Sequence, residues 1–115
     1  MINFALLGTG RIGKLHASII NAHPEASLKY VYDIDISSAK KIAKKYSCEV
    51  AKTAKEAISS DQINAILIAS ATPTHTDYIA LGAECNKAIL CEKPIDLNIY
   101  KVNKCWQKIK KYKPT

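Results

Sequence analysis

Apolar residues fall into short blocks along this chain, and between the blocks they recur every three or four positions. That pattern reads as strands alternating with amphipathic helices. Ile2-Asn3-Phe4-Ala5-Leu6-Leu7 is an apolar run ending at Gly8, as suits a strand buried on both faces of a parallel sheet. From Arg11 to about His23 the apolar positions Ile12, Leu15, Ile19 and Ile20 keep a helical period, and Pro24 stops it. Leu28 to Tyr32 predicts a second strand that ends at Asp33. Ser37 or Ser38 can cap a second helix with the stripe Ala39, Ile42, Ala43 and Tyr46. Cys48 to Ala51 is a short strand candidate, and Thr53 to Ser59 a short helix with a Thr53–Glu56 capping box. Ala65 to Ala69 and Lys87 to Cys91 predict two further strands around a helix from Thr74 to about Cys85. Asn98 caps a last helix with Val102, Cys105, Trp106 and Ile109 on one face, ended by Pro114. The β-α order repeats five times with short connections. The expected fold is α/β, a Rossmann-type doubly wound parallel sheet, with residues 1–115 as one domain.

Gly8-Thr9-Gly10-Arg11-Ile12-Gly13 follows a predicted strand and opens a predicted helix, the context that gives G-x-G-x-x-G its meaning. Gly8 permits a tight turn, Gly10 lets the backbone approach a pyrophosphate, and Gly13 lets the helix pack closely on the strand. The N–H groups of Arg11, Ile12 and Gly13 at the helix start suit an anion. Asp33 lies 20 positions after Gly13, at a strand end, where a carboxylate accepts hydrogen bonds from ribose hydroxyls and repels a 2′-phosphate. These residues point to NAD rather than NADP. A turn or capping aspartate is the plainer alternative for Asp33, and Asp35 competes for that lesser role.

Charge and cysteine content change this picture little. The 115 residues have a formal net charge of +7, with Arg11 the only arginine. The lysines cluster on two helical stretches, Lys40 to Lys45 and Lys101 to Lys113, which read as solvated faces. No aromatic or arginine interleaving supports base readout, so no nucleic-acid partner is expected. Cys48, Cys85, Cys91 and Cys105 show neither a CxxC pair nor metal-ligand spacing. They read as reduced and mostly buried, and no metal site is expected. No stretch is long enough to span a bilayer, and the first residues show no signal-peptide pattern, so no membrane association and a cytoplasmic location are expected.

Two later segments also fall at predicted strand ends, Ser70-Ala71-Thr72-Pro73-Thr74-His75-Thr76-Asp77 and Cys91-Glu92-Lys93-Pro94. In an open parallel sheet these ends line one crevice. The motifs G-T-G-R-I-G-x-x-H-A, A-T-P-T-H and E-K-P, in that order, resemble the N-terminal domain of the Gfo/Idh/MocA oxidoreductases. The G-R-I-G and T-H-T-D stretches are most similar to the inositol 2-dehydrogenase branch. The resemblance covers nearly the whole chain. It implies hydride transfer between NAD(P) and a ring carbon of a cyclic polyol or sugar, with Lys93 as the catalytic lysine. A lysine beside a polyol hydroxyl can hydrogen-bond it and share its proton. Thr72 and His75 would then lie beside the ribose and nicotinamide half of the cofactor, although Thr74 and Asp77 also make a good capping box. Glu92 would orient Lys93 or contact the cofactor, and Pro94 fixes the backbone after it. His16 recurs in the motif but could equally be a packed histidine.

Members of that family continue into a sixth strand and a second α/β domain, which hold further Asp and His acid-base residues. This sequence ends at Lys113-Pro114-Thr115, with no His or Asp after Asp96. The resemblance therefore implies a domain truncated before the sixth strand and lacking the C-terminal domain. Such a domain would bind NAD but turn over poorly, and its open fifth strand would invite self-association into a homo-oligomer. A non-catalytic NAD(H) sensor would need the glycine loop and Asp33 but not Lys93, and it is the alternative.

Overall fold

A computed structural model describes residues 1–115. Strands β1 (Ile2–Leu7), β2 (Ala26–Tyr32), β3 (Glu49–Val50), β4 (Ala65–Ile68) and β5 (Ala88–Cys91) alternate with helices α1 (Arg11–Ala22), α2 (Ile36–Tyr46), α3 (Ala54–Ser59), α4 (His75–Glu84) and α5 (Ile99–Ile109). Every pairing is parallel and the order is β3-β2-β1-β4-β5, so the doubly wound sheet is confirmed.

The period of two along the strands builds a core on each face. Leu6, Val31 and Leu67 point with Ala17, Ile20, Ala39 and Ile42 to the side covered by α1 and α2. Ala5, Leu7, Ile66 and Ile68 point with Ile58, Ile79, Ala83 and Ile109 to the side covered by α3, α4 and α5. On the outer edge, the Ile89 N–H of β5 donates to the carbonyl of Thr115 at 2.9 Å.

Several local expectations are corrected. Helix α1 buries Gly13, Ala17 and Ile20, while Ile12, Leu15 and Ile19 remain 45%, 55% and 53% exposed. Close packing of α1 on the sheet admits only small residues near the loop, because a Cβ on Gly13 would collide with the carbonyl oxygen of Gly8. Helix α2 is capped by Asp35, which accepts from the Ser38 N–H, and not by Ser37 or Ser38. At α3 the Thr53 hydroxyl accepts from the Glu56 N–H at 3.0 Å as expected, but Glu56 returns its bond to the Lys52 N–H, one residue early. The Thr74–Asp77 box does not form. A 3-10 turn at Thr72–Thr74 precedes α4, and the Thr74 hydroxyl bonds the Ala71 carbonyl instead. Trp106 is half exposed, and α5 ends at Ile109, ahead of Pro114. The four cysteines are free but only half-buried. No helix is long and apolar enough to cross a membrane.

Candidate cofactor site

The carboxyl ends of β2, β1, β4 and β5 lie side by side and carry Asp33, Gly8, Ser70 and Lys93 in that spatial order. From β2 to β5 is three strand spacings, roughly 14 Å. The strand order reverses direction at β1 and β4, the switch point where open α/β sheets bind ligands. A cleft of about 230 Å³ opens there, lined by Gly8, Gly10, Asp33, Ile34, Ser70 and Tyr78 among others.

The glycine loop has the conformation its sequence requires. Gly8 has φ +101°, and a Cβ there would sit 2.5 Å from the backbone of Ala69 and Ser70. Only glycine lets β1 and β4 approach this closely. At Gly10 an added Cβ would meet nothing within 4 Å, so the space above the loop is free for a ligand group. Gly10 caps α1 with no side-chain hydrogen bond, and the first turn holds no acidic residue. The leading N–H groups of the helix are thus left for an anion, with the positive end of the dipole behind them. Arg11 and Ile12 are exposed in that first turn.

Asp33 is held firmly. Its Oδ2 accepts the Thr9 N–H at 2.7 Å and lies 2.9 Å from the Thr9 hydroxyl, while Oδ1 accepts the Asp35 N–H at 2.9 Å. Both oxygens are thus fixed in place from the protein side, and the residue lines the cleft. Burial alone would raise this carboxyl, but the N–H groups of Thr9, Asp35 and Ile34 and the Thr9 hydroxyl outweigh it and hold Asp33 below its ordinary value. Thr9 is fully buried, and its hydroxyl is 2.8 Å from the Ser38 hydroxyl, which donates to the Thr9 carbonyl. Sequence reasoning missed this Thr9–Ser38 support, because Ser38 is 29 positions away. It also missed Tyr78, which α4 brings to the cleft beside Tyr32. Burial first, then Tyr32, Asp77 and Asp33, push the Tyr78 phenol up, so it stays neutral.

The remaining expected residues divide. Lys93 is exposed at the end of β5 and precedes a cis bond to Pro94. Thr72 opens the 3-10 turn, half-buried, with its carbonyl accepting the His75 N–H. Glu92 and His75 do not line the cleft. One Glu92 oxygen lies 2.6 Å from His16 Nε2, and the other accepts the Lys93 N–H at 3.2 Å. The hydrogen bond from His16 is foremost in holding the Glu92 carboxyl below its ordinary value. His75 is 1% exposed, with Nδ1 2.8 Å from the Pro94 carbonyl and Nε2 2.9 Å from the Ser70 carbonyl. A ring so buried and engaged presents no free nitrogen to the cleft. The Cys91 thiol beside Glu92 is pushed up to about 11, first by burial, so no thiolate competes with Lys93 at the end of β5.

The residues present therefore fit a dinucleotide, with a free cradle at Gly10, an uncapped helix start and a locked carboxylate at the end of β2. Comparison with known proteins agrees. The family model described as the oxidoreductase family with NAD-binding Rossmann fold (Gfo/Idh/MocA) matches residues 2–115. Inositol 2-dehydrogenase from Rhizobium meliloti strain 1021 is 42% identical over 104 residues, which is 90% of this chain and 31% of the relative. The crystal structure of a myo-inositol dehydrogenase from Corynebacterium glutamicum superposes with TM-score 0.92 at 38% identity, covering 97% of this chain and 34% of that one. A scyllo-inositol dehydrogenase from Lactobacillus casei, solved with bound NAD(H) and scyllo-inositol, gives TM-score 0.90 at 25% identity over 98% of this chain and 34% of that one. The chain thus spans about a third of the length of the relatives it matches.

Proposed function

The chain belongs to the Gfo/Idh/MocA oxidoreductases, and from that premise we propose that it is the cofactor-binding part of an NAD-dependent dehydrogenase acting on the CH–OH group of a cyclic polyol or sugar. The observation that carries the proposal is the row of Asp33, the glycine loop and Lys93 along one sheet edge. Residues 1–115 act as one domain in this reading. Asp33 accepts a hydroxyl of the adenosine ribose on its carboxylate, which lines the cleft, and rejects a 2′-phosphate by like charge. The N–H groups at Arg11, Ile12 and Gly13 hold the pyrophosphate over Gly10. Ile34 and Tyr78 give the cleft an apolar wall at the adenosine end.

The nicotinamide, when bound, supplies the hydride chemistry. Lys93 is the catalytic residue, binding the reacting hydroxyl and moving its proton. Glu92, His75 and Thr72 serve this reading as neighbours of the site rather than as cofactor ligands. Because Lys93 stands in solvent, the 115 residues alone bind cofactor but turn over polyol poorly. The likeness to inositol dehydrogenases supports an inositol-like polyol as the substrate class. Four free cysteines with no disulfide agree with a reducing, cytoplasmic setting. The homo-oligomer this reading expects would use the part of the β5 edge that Thr115 leaves unpaired. The test is titration with NADH followed by fluorescence or calorimetry, with NADPH as the comparison. Saturable NADH binding with weaker NADPH binding is expected, and no saturation at millimolar NADH overturns the proposal.

A further inference from the structure

Lys93 sits on a loop with its side chain in solvent, so its place relative to the cofactor depends on what holds its neighbours. Residue 92 is held from one side. The Glu92 carboxylate bridges His16 Nε2 at 2.6 Å and the Lys93 N–H at 3.2 Å, and His16 is on α1, the helix opened by the glycine loop. This is the one carboxylate–histidine or carboxylate–lysine pair in the molecule. Residue 94 is held from the other side. The Pro94 carbonyl lies 2.8 Å from Nδ1 of His75, at the start of α4. The same ring reaches Ser70, which lines the cofactor cleft, through Nε2 at 2.9 Å from its carbonyl. Each histidine therefore joins one flank of Lys93 to an element that shapes the cleft.

Carbonyl oxygens only accept hydrogen bonds, and both ring nitrogens of His75 lie within 3 Å of one. The ring therefore bridges the backbone after Lys93 to the backbone of the cleft at Ser70.

We infer that His16 and His75 are positioning residues for Lys93, clamping the residues on either side of it. The inference rests on the reading of Lys93 given above. The adenosine end, built from Asp33, Thr9 and the glycine loop, is outside both clamps. Loosening them disturbs Lys93 while leaving most of the cofactor affinity intact.

The test uses the full chain at neutral pH. In chain carrying carbon-13 methyl labels on its lysines, the Lys93 resonance is assigned by its absence in Lys93→Arg. His16→Gln and His75→Gln are each expected to shift or broaden that resonance, while the NADH Kd changes less than about threefold. A general structural role would instead lower NADH affinity and thermal stability together and leave no selective mark on Lys93. A Lys93 resonance indifferent to His16→Gln overturns the inference. That measurement decides the matter even if the buried His75→Gln chain fails to fold. If NADH shows no saturable binding to the unaltered chain, the cofactor reading fails. The Lys93 resonance without NADH still judges the clamps separately.

Discussion

Replacing Asp33 by Asn keeps the shape of the side chain and removes its charge, and the structure dictates which hydrogen bond is lost. Asp33 accepts from the N–H groups of both Thr9 and Asp35, one on each oxygen. An amide has a single oxygen, so one of the two donors must go unpaired. Thr9 is fully buried and cannot turn to water, whereas Asp35 is exposed. The amide oxygen therefore stays on Thr9, and its NH2 faces Asp35 and the cleft. The loss is one solvent-accessible hydrogen bond plus the charge assistance at Thr9, about 1–2 kcal/mol. For a domain of this size that lowers Tm by roughly 4–10 °C. At the cofactor the Oδ1 position becomes a donor, so a hydrogen bond to a charged acceptor disappears. Such a bond contributes about 1.5–3 kcal/mol, which weakens NADH roughly 10–100-fold. NADPH loses its repulsion and gains relative to NADH. The pH dependence has a definite sign. The Asp33 carboxyl is depressed in the fold, so its contribution is present above the unfolded value near ~3.9 and fades as pH falls through the lower folded value. The Tm gap between the two chains should accordingly close in acid. Thermal unfolding from pH 7 down to pH 3, with NADH and NADPH titrations at pH 7, checks each step. An unchanged NADH affinity in Asp33→Asn, or a Tm gap that widens below pH 4, refutes the reasoning.

Gly8→Ala forces a Cβ to within 2.5 Å of backbone atoms of Ala69 and Ser70 at φ +101°. It should cost upwards of ~3 kcal/mol, and a urea midpoint close to that of the unaltered chain would contradict the assigned loop geometry. Ile20→Ala removes a side chain 5% exposed in the α1–sheet core and should cost about 2–4 kcal/mol. Ile19→Gln, on the exposed flank of the same helix, should change stability by less than about 0.5 kcal/mol, and equal costs at the two positions would reverse the assigned face. Burial pushes the Cys48 and Cys91 thiols up to about 11. Thiol reagents at pH 8 should therefore label them slowly in the folded chain and quickly in urea, as counted by mass spectrometry. Lys93→Met should leave NADH affinity within about twofold, since no phosphate or ribose contact is assigned to it; a tenfold loss would move Lys93 into the cofactor-binding set.

The fold was legible because its signals are local. Leu6 and Leu7 point to opposite faces wherever strand pleating holds, and Gly8 with Asp33 marks the ends of two strands without knowledge of their partners. Helix α1 shows where that reasoning stops. Its residues form two neighbouring stripes, Ile12-Leu15-Ile19 and Gly13-Ala17-Ile20, both at helical spacing. Hydrophobicity favours the first as the buried one, and the sheet takes the second. The reason lies in the loop: Gly13 must touch the Gly8 carbonyl for the turn to close, and this rotates the helix so that small residues face inward. The loop thus sets the helix, rather than the helix periodicity setting the contact.

The same limit explains Glu92 and His75. A motif names them, but their work is defined by partners that only the fold supplies, His16 at a separation of 76 positions and Pro94 at 19. A carboxylate beside a lysine on a strand end is as ready to contact a ligand as to hold the chain. What decides between them is whether a donor stands within reach on the protein side. His16 is already at 2.6 Å from Glu92, so that oxygen is committed before any ligand arrives. His75 has both nitrogens committed in the same way. Asp33 differs in its place, because it lines the cleft and Glu92 does not. Of the carboxylates at these strand ends, Asp33 is therefore the one placed to meet a ligand in the cleft, and Glu92 is the one whose removal should be felt at Lys93 instead.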